Sequence, residues 1–397
     1  MVIVDECHHV SSVSFEQVLK QITAHYVYGL TATPIRKDGH QPIIFMQCGR
    51  IRYTADATAQ ISNQSFERIL VPRFTTYRNV NPNDKETFTQ TIQKLAEDDA
   101  RNSLIVDDVK KVLQEMRTPI ILTSLTSHVR KLVQMLEPIT DNVIALVGAD
   151  SSKEKKLAMA HLSSIPPSES MVVVATGKYI GEGFDYPRLD TLFLALPISW
   201  KGNIQQYAGR LHREYKGKTE VWIYDYVDIH VPVCDSMYRK RLRGYKSVGY
   251  GNPSSILTET KSSQDVIYDG QTYQAVFQND LLSAKHSIII SCVAVHYRYT
   301  PNLFRILQDL MHNGVELSVH VKNVGLQEVD LSAVGITVVQ DENLSVNCAV
   351  IDKAIVWYGS MNFFGYNNNE ANIMRLADTS VANEMMEVIY SKSDTHE

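Results

Sequence analysis

Two adjacent carboxylates follow an apolar segment at the start of the chain. The residues VIV at 2–4 lead directly into Asp5 and Glu6. Open α/β sheets bind ligands outside the carboxyl ends of their strands, so this is a position where a phosphate group would be met. One carboxylate can hold Mg²⁺ while its neighbour polarises a water for attack on a γ-phosphate. A lone pair of this kind is more often a solvated turn, so the interpretation depends on the segments that follow.

Two later segments place threonine and glycine where predicted strands end. The first, GLTATP at 29–34, follows the second predicted strand and contains Thr31 and Thr33. The second, ATGKYIGEGFD at 175–185, is rich in glycine, which allows the backbone to approach a phosphate closely. Thr176 in this segment ends a predicted strand and can contact a nucleic-acid backbone.

A third segment, QQYAGRLHR at 205–213, carries two arginines three residues apart. If the whole segment is helical, Arg210 and Arg213 share one helix face. Two guanidinium groups on one face can stabilise the negative charge that develops on a phosphate. Taken singly, such a segment is more often an ordinary surface helix.

In this order, the four segments resemble motifs II, III, V and VI of superfamily 2 helicases. The residues RKDGHQPIIF at 36–45 strengthen the likeness to the branch that contains eukaryotic repair and transcription helicases. The resemblance implies ATP as cofactor, with Mg²⁺ held at Asp5 and the attacking water polarised by Glu6. It also implies arginine fingers at Arg210 and Arg213, and ATP contacts at Gln206, Gly183, Asp185 and Gly209. Thr31 and Thr33 would couple the state of the nucleotide to the grip on nucleic acid, and Thr176 and Gly177 would contact the nucleic acid.

The phosphate-binding signature GxxxxGK[ST] does not occur in the sequence. The helicase family places it before the DE carboxylates, and its backbone nest and lysine bind the β- and γ-phosphates. The sequence therefore predicts a helicase or translocase truncated before motif II, whose isolated chain does not turn over ATP. The alternative is a non-catalytic DNA-binding or assembly module, or half of a split helicase without an ATPase of its own.

Near the C-terminus, SVNCAVID at 345–352 and GSMN at 359–362 resemble the second half of the phospholipase D signature HxKxxxxD…GSxN. Ser345 stands in place of the nucleophilic histidine and Asn347 in place of the lysine. Serine without a base cannot form the covalent intermediate, and asparagine cannot neutralise a phosphate. The resemblance therefore implies a catalytically degenerate site, made of Ser345, Asn347, Asp352, Ser360, Asn362 and Glu370.

Apolar runs alternate with amphipathic helical segments, which predicts an α/β fold with parallel sheets covered on both faces. With the resemblances, the expected architecture is part of a first RecA-like domain at 1–70, a complete second RecA-like domain at 71–230, a basic linker at 231–262 and a phospholipase D-like α/β domain at 263–397. Five basic residues in eight at 239–246 predict nucleic-acid contacts from this linker. The contacts are assigned to Arg239, Lys240 and Arg241.

Composition sets the remaining expectations. The net charge of -5 gives no support to nucleic-acid binding, so positive charge must be concentrated locally. Five cysteines without a CxxC pair predict free thiols in a reducing, cytoplasmic compartment and argue against structural zinc. No apolar run approaches the ~20 residues that span a bilayer, so no membrane partner is expected. The predicted partners are nucleic acid, with DNA favoured in bacterial repair or defence, and either the missing N-terminal half or a second copy bound through the C-terminal domain.

Overall fold

The computed structural model describes residues 1–5, 7, 10, 17–19, 21–31, 41–53, 66–78, 87–148, 151–181, 184–198, 201–251, 266–295, 301–323, 336–342, 344, 346–365 and 371–390. The chain divides into two compact units, residues 1–63 and residues 64–397.

The described residues of the first unit include two short parallel strands and a helix. Strand β1 (Val2–Val4) pairs with β2 (Val27–Gly29), and helix α1 (Gln41–Cys48) packs on β2. The buried side chains of this unit are Val4, Cys7, Val10 and Ile44. Gly29 lies so close to Cys7 and Cys48 that a Cβ would be 2.8 Å from the Cys7 Sγ, so only glycine fits there.

The second unit begins with a six-stranded sheet in which every pairing is parallel. Its order is β3-β8-β7-β4-β6-β5. The central strands are buried on both faces, which is why their sequences read as continuous apolar runs. The strands are β3 (Glu67–Phe74), β4 (Pro119–Thr123), β5 (Val143–Leu146), β6 (Val172–Thr176), β7 (Thr191–Leu194) and β8 (Glu220–Val227).

The helices described between these strands are α2 (Phe88–Glu97), α3 (Asp99–Gln114), α4 (Thr126–Leu136), α5 (Ser152–Ser164), α6 (Gly177–Gly181) and α7 (Lys201–Leu211). One cluster of buried side chains joins α3 and α4 to one face of the sheet, and another joins α7 to the opposite face. The predicted α/β domain with both faces covered is therefore confirmed. Helices α2 and α3 are separated at Asp98, whose backbone is extended and whose side chain accepts a hydrogen bond from the N–H of Arg101, so that α3 begins as a new helix.

Helix α8 (Pro232–Ser247) occupies most of the segment predicted to be a linker. Eight of its residues are buried, and the helix packs against α7, β8 and the second sheet. The linker prediction is therefore wrong for residues 232–247, and residues 252–265 lie outside the described residues. Within this helix, Arg241 pairs with Asp225 on β8 and Arg239 pairs with Asp235 of the helix itself.

The second sheet is mixed, with the order β12-β11-β10-β13-β14-β15-β9. Strands β10, β11 and β12 are parallel, and the other pairings are antiparallel. Helices α9 and α10 cover one face, while α8 and α11 pack on the other. Its elements are β9 (Val266–Asp269), α9 (Tyr273–Leu282), β10 (Ser287–Ala294), α10 (Pro301–His312), β11 (Glu316–Asn323), β12 (Thr337–Gln340), β13 (Asn347–Ile351), β14 (Ile355–Gly359), β15 (Asn372–Ala377) and α11 (Thr379–Tyr390).

The two sheets of the second unit share one hydrophobic core. A single cluster of buried residues contains Leu70 and Val227 from the first sheet, Tyr238 from α8, and Tyr358 and Met374 from the second sheet. The predicted boundary at residue 70 falls inside β3, which pairs with β8 along its whole length. The predicted boundary at 230 lies just before α8, the helix that joins the two sheets.

Among the described residues, no helix combines the length and apolar character needed to cross a membrane.

Candidate functional site

Polar groups gather at the carboxyl edge of the parallel sheet. Strands β4 and β6 are paired in parallel and end at Thr123 and Thr176. The Thr176 hydroxyl accepts a hydrogen bond of 3.0 Å from the N–H of Gly148, which follows β5. The Lys155 ammonium donates to the Gly148 carbonyl at 2.9 Å and lies over the Tyr179 ring. This edge is where an open α/β sheet binds its ligand.

The arginines of the QxxGRxxR segment occupy different backbone environments. Arg210 lies in the last turn of α7, but the helix ends at Leu211, so Arg213 lies in the turn that follows. The expectation that both arginines share one helix face is therefore wrong. The Arg213 Nε lies 3.3 Å from an Asp185 carboxylate oxygen, and both side chains are half exposed. An exposed ion pair is weak, so phosphate charge can compete with Asp185 for Arg213.

The glycine-rich segment and α7 meet at a contact that allows no side chain. A Cβ on Gly177 would lie 2.4 Å from the Tyr207 hydroxyl oxygen and 3.2 Å from the ring carbon that bears it. Gly177 begins α6 directly after Thr176, and Tyr207 lies near the middle of α7. Glycine is therefore required by packing, and Tyr207 is a positioning residue that the sequence did not reveal.

We expect Gly177→Ala to destabilise the second unit by ~1–3 kcal/mol, the usual cost of overpacking a tight contact. In Gly177→Ala/Tyr207→Phe the hydroxyl is removed, and part of the stability should return. Gly209→Ala is the matched control, because a Cβ there meets nothing within 4 Å and alanine favours the helix. Urea unfolding followed by circular dichroism measures all four proteins. Equal stability of Gly177→Ala and the parent would contradict the contact.

His212 anchors the end of α7 from the inside. Its Nε2 lies 3.1 Å from the Tyr250 hydroxyl oxygen, and the two rings are stacked. Burial, together with the positive charges of Arg68 and Lys218, lowers the pKa of His212 to about 3, so the imidazole is neutral at physiological pH. The neutral ring fixes the backbone between Arg210 and Arg213 to the segment that follows α8.

Two of the three basic residues predicted to contact nucleic acid form ion pairs inside the protein. The Arg241 guanidinium is 1% exposed and makes two hydrogen bonds of 2.8 Å to Asp225 on β8. The Arg239 Nη2 lies 2.7 Å from a carboxylate oxygen of Asp235, which is fully buried. The predicted nucleic-acid contacts of Arg239 and Arg241 are therefore wrong, because buried carboxylates hold both groups. Lys240 is exposed, and its assignment stays a prediction.

Asp5 is exposed directly after β1, at the carboxyl end of that strand. Magnesium is bound through one or two carboxylates together with substrate phosphates, so a single exposed carboxylate fits the predicted ion. Among the described residues there is no cluster of three or more His, Cys, Asp or Glu that could hold a metal alone. Thr31 follows β2 by two residues. Glu6, Thr33 and Gly183 lie outside the described residues.

The remaining ATP-binding candidates lie on or beside α7. Gln206 is half-buried in the middle of the helix, and Gly209 is exposed one turn later. Asp185 follows the glycine-rich segment and is held by Arg213. The structure therefore brings Asp185 and Arg213 together, while their roles and that of Gln206 stay predictions.

The phospholipase D-like residues divide between opposite ends of β13. At one end, the Asn347 amide oxygen accepts from the N–H of Val293 at 3.1 Å, and the Ser360 hydroxyl accepts from the N–H of Asn372 at 3.0 Å. The Asn362 amide oxygen accepts from the N–H of Phe364. All three side chains thus bond to the backbone at one edge of the sheet.

Asp352 lies past the other end of β13, with a φ of 49°. Its carboxylate accepts three hydrogen bonds of 2.7–2.9 Å from the N–H groups of Lys285, His286 and Ser287. Asp352 therefore fixes the start of β10 and does not join Asn347 and Ser360 in a site. Ser345 and Glu370 lie outside the described residues.

The comparisons with known proteins agree with the motif order. The family model for the type III restriction enzyme, res subunit, matches residues 1–36. A candidate ATP-dependent RNA helicase of African swine fever virus, QP509L, is 26% identical over 275 residues, covering 63% of this chain and 51% of the viral protein. A candidate helicase of Invertebrate iridescent virus 6, 161L, is 27% identical over 255 residues, covering 62% and 55%.

Among solved structures, Nuc of Salmonella typhimurium, a phospholipase D family member, matches 33% of this chain and 95% of its own at 18% identity, with a TM-score of 0.28. The chain spans about half the length of the curated relatives it matches. The family model and the viral relatives support the resemblance of this chain to superfamily 2 helicases.

Proposed function

We propose that this chain supplies part of an ATP-dependent nucleic-acid helicase or translocase, with DNA as the favoured track. The observation that carries this proposal is the joining of two motifs at the carboxyl edge of one parallel sheet. Gly177 packs against Tyr207, and Arg213 pairs with Asp185, so the glycine-rich segment and the arginine segment touch at both places. A motor needs these two segments to move together when nucleotide is bound or released.

In this proposal Asp5 binds Mg²⁺ and Glu6 accepts the proton of the attacking water. Bound ATP supplies the γ-phosphate whose transfer to water releases the free energy of each step. Arg210 and Arg213 act as arginine fingers that stabilise negative charge on the transferring phosphoryl group, once Arg213 has left Asp185. Gln206 contacts the nucleotide. Thr31 and Thr33 couple the state of the nucleotide to the grip on nucleic acid.

Thr176 and Gly177 are proposed to contact the nucleic-acid backbone. They lie where β6 ends and α6 begins, at the sheet edge where open α/β folds bind ligands. The proposal of a DNA track comes from the pairing of a motor with a phosphodiesterase-like fold. The relative QP509L is named for RNA, so an RNA track is the alternative outcome of any binding test.

The second sheet is proposed to be a non-catalytic, phospholipase D-like platform. Its Asn347 and Ser360 side chains accept hydrogen bonds from backbone N–H groups, and neither can act as a nucleophile assisted by a general base. The second sheet shares its hydrophobic core with the first sheet. A movement that begins at Arg213 would therefore pass to the second sheet through that core. Dimerisation through this sheet also stays a proposal.

The test of the proposed function compares the chain with a longer protein that restores a phosphate-binding loop before Met1. We expect background ATP hydrolysis from the chain, because it lacks the loop that binds the β- and γ-phosphates. The longer protein should hydrolyse ATP faster when single- or double-stranded DNA is added. Glu6→Gln in that protein should reduce the rate by ~10²–10⁴-fold, the usual contribution of a general base.

A coupled assay of ADP release, with RNA and DNA as separate additions, measures these rates. Rapid nucleic-acid-stimulated turnover by the chain itself would contradict the requirement for the loop. A longer protein that shows no stimulation by either nucleic acid would contradict the motor.

A further inference from the structure

We propose that Cys7 and Cys48 form a redox modification site. Their two thiols close to a disulfide when the protein meets a small-molecule disulfide such as glutathione disulfide. Neither thiol has a part in the chemistry proposed above. The assignment of the site itself depends only on the geometry of the first unit.

The two thiols lie side by side against one strand. Cys7 is 3% exposed, Cys48 is half-buried at the end of α1, and their thiols are within hydrogen-bonding contact. A Cβ on Gly29 would lie 2.8 Å from the Cys7 Sγ and 3.0 Å from the Cys48 Sγ. The absence of a side chain at Gly29 therefore creates the space that both sulphur atoms fill.

Joining the two sulphur atoms requires them to move from hydrogen-bonding contact to a covalent bond. A disulfide requires an S–S distance of about 2.05 Å and Cβ atoms about 3.5–4.5 Å apart. Both sulphur atoms already lie within 3.0 Å of one point, the place where a Cβ on Gly29 would stand. Cys48 is the last residue of α1 and is followed by Gly49, whose φ of 78° ends the helix.

The other three cysteines do not offer a competing pair. Cys292 and Cys348 lie on neighbouring strands β10 and β13, but their side chains belong to cores on opposite faces of the second sheet. Cys234 is buried in α8 within a separate cluster. These three thiols provide an internal control for selectivity.

The exchange takes place in two steps. The Cys48 thiolate attacks one sulphur of glutathione disulfide, forming a mixed disulfide and releasing one glutathione thiolate. The Cys7 thiolate then attacks the Cys48 Sγ and expels the second glutathione. Two protein thiols are oxidised by two electrons, and one glutathione disulfide is reduced to two glutathiones. Burial raises the pKa of the Cys48 thiol, so the first step should accelerate as the pH rises.

The functional effect of this site rests on the proposed motor. Cys7 follows the carboxylates Asp5 and Glu6, and its N–H donates to the Leu30 carbonyl at 2.9 Å, just before Thr31. A Cys7–Cys48 disulfide would tie these two motif segments and the end of α1 together. We expect it to lower nucleic-acid-stimulated ATP turnover reversibly, because the segments could no longer shift with the state of the nucleotide.

The first experiment is chemical and uses the full chain. The protein is brought to equilibrium with excess glutathione disulfide at mildly alkaline pH, quenched with acid, unfolded, alkylated and digested for peptide mass mapping. We expect one cross-linked peptide pair that contains Cys7 and Cys48, with Cys234, Cys292 and Cys348 alkylated. Cys7→Ser and Cys48→Ser should each remove the cross-link. Alkylation of both Cys7 and Cys48, or a mixed disulfide that persists on Cys48, would overturn the site.

The second experiment measures ATP turnover of the longer protein before oxidation, after oxidation and after reduction by dithiothreitol. In the parent, we expect oxidation to lower ATP turnover and dithiothreitol to restore it. In Cys48→Ser, turnover should stay the same throughout. Turnover that persists in the cross-linked protein would overturn the regulatory effect while leaving the site intact. A lack of turnover in the reduced protein would instead count against the proposed motor, so the two failures are distinguishable.

Discussion

Arg213→Ala is expected to lower ATP turnover by ~10³-fold or more in a protein that carries the phosphate-binding loop. An arginine finger stabilises charge that exists only in the transition state, so the loss should appear in kcat and much less in KM. In the structure the Arg213 Nε lies 3.3 Å from an Asp185 carboxylate oxygen, outside the regular part of α7. Steady-state ATPase kinetics at saturating nucleic acid measure the effect.

Two further variants separate this role from a structural one. Arg213→Lys keeps the charge but loses the planar fork, and should recover only a small part of the rate. Asp185→Asn removes the carboxylate that competes with phosphate for Arg213. If Asp185 does no more than bind Arg213 before ATP arrives, the KM of this variant for ATP should change more than its kcat. A rate for Arg213→Ala within a few-fold of the parent would show that Arg213 does not act on the phosphoryl group.

Arg241→Ala is expected to destabilise the second unit by ~3–5 kcal/mol, the usual cost of leaving one charge of a buried pair without its partner. Burial disfavours the charged guanidinium, but the Asp225 carboxylate, with smaller contributions from Tyr245 and Tyr238, raises the pKa of Arg241 above its usual value. Arg241 also donates to the Ile198 carbonyl at 3.0 Å, and Tyr245 donates to Asp225. Removing Arg241 therefore leaves several polar groups unsatisfied in the core shared by the two sheets.

The matched control is Lys240→Ala, since Lys240 is the exposed neighbour in the same helix and the same run of positive charge. Its effect on stability should stay within ~0.5 kcal/mol. The double variant Asp225→Leu/Arg241→Leu should be more stable than Arg241→Ala, because it removes both buried charges. Urea unfolding of the three variants measures these differences in the free energy of unfolding. If Arg241→Ala and Lys240→Ala were equally mild, the buried pair would have little structural importance.

The sequence determined the features that depend on short stretches of chain. Apolar runs alternating with amphipathic segments gave the strands and helices of the parallel sheet, since strands buried on both faces need side chains that avoid water. The ends of β1 and β6 could be located because Asp5 and Thr176 follow directly after such runs. The order of the four motif segments, each local in sequence, was enough to indicate the helicase resemblance.

Other features could have been found with closer attention to one signal. Asp225 stands inside the apolar strand β8, where an unpaired carboxylate would be too costly to bury. Such a residue demands a cation from elsewhere in the chain, and Arg241 lies sixteen positions later. The end of α7 at Leu211 had no comparable signal, because the residues that follow carry neither glycine nor proline until Gly217.

Only the tertiary structure decided what the basic run at 239–246 does. Five positive charges in eight residues are compatible with a solvated linker, a nucleic-acid contact or a buried helix, and local sequence does not separate these cases. Two carboxylates hold the arginines inside the protein: Asp225 from β8 pairs with Arg241, and Asp235 of α8 pairs with Arg239 while accepting a hydrogen bond from Tyr358 of the second sheet. Because Tyr358 is more than a hundred residues from Asp235, the joining of the two sheets through α8 is a property of long-range packing.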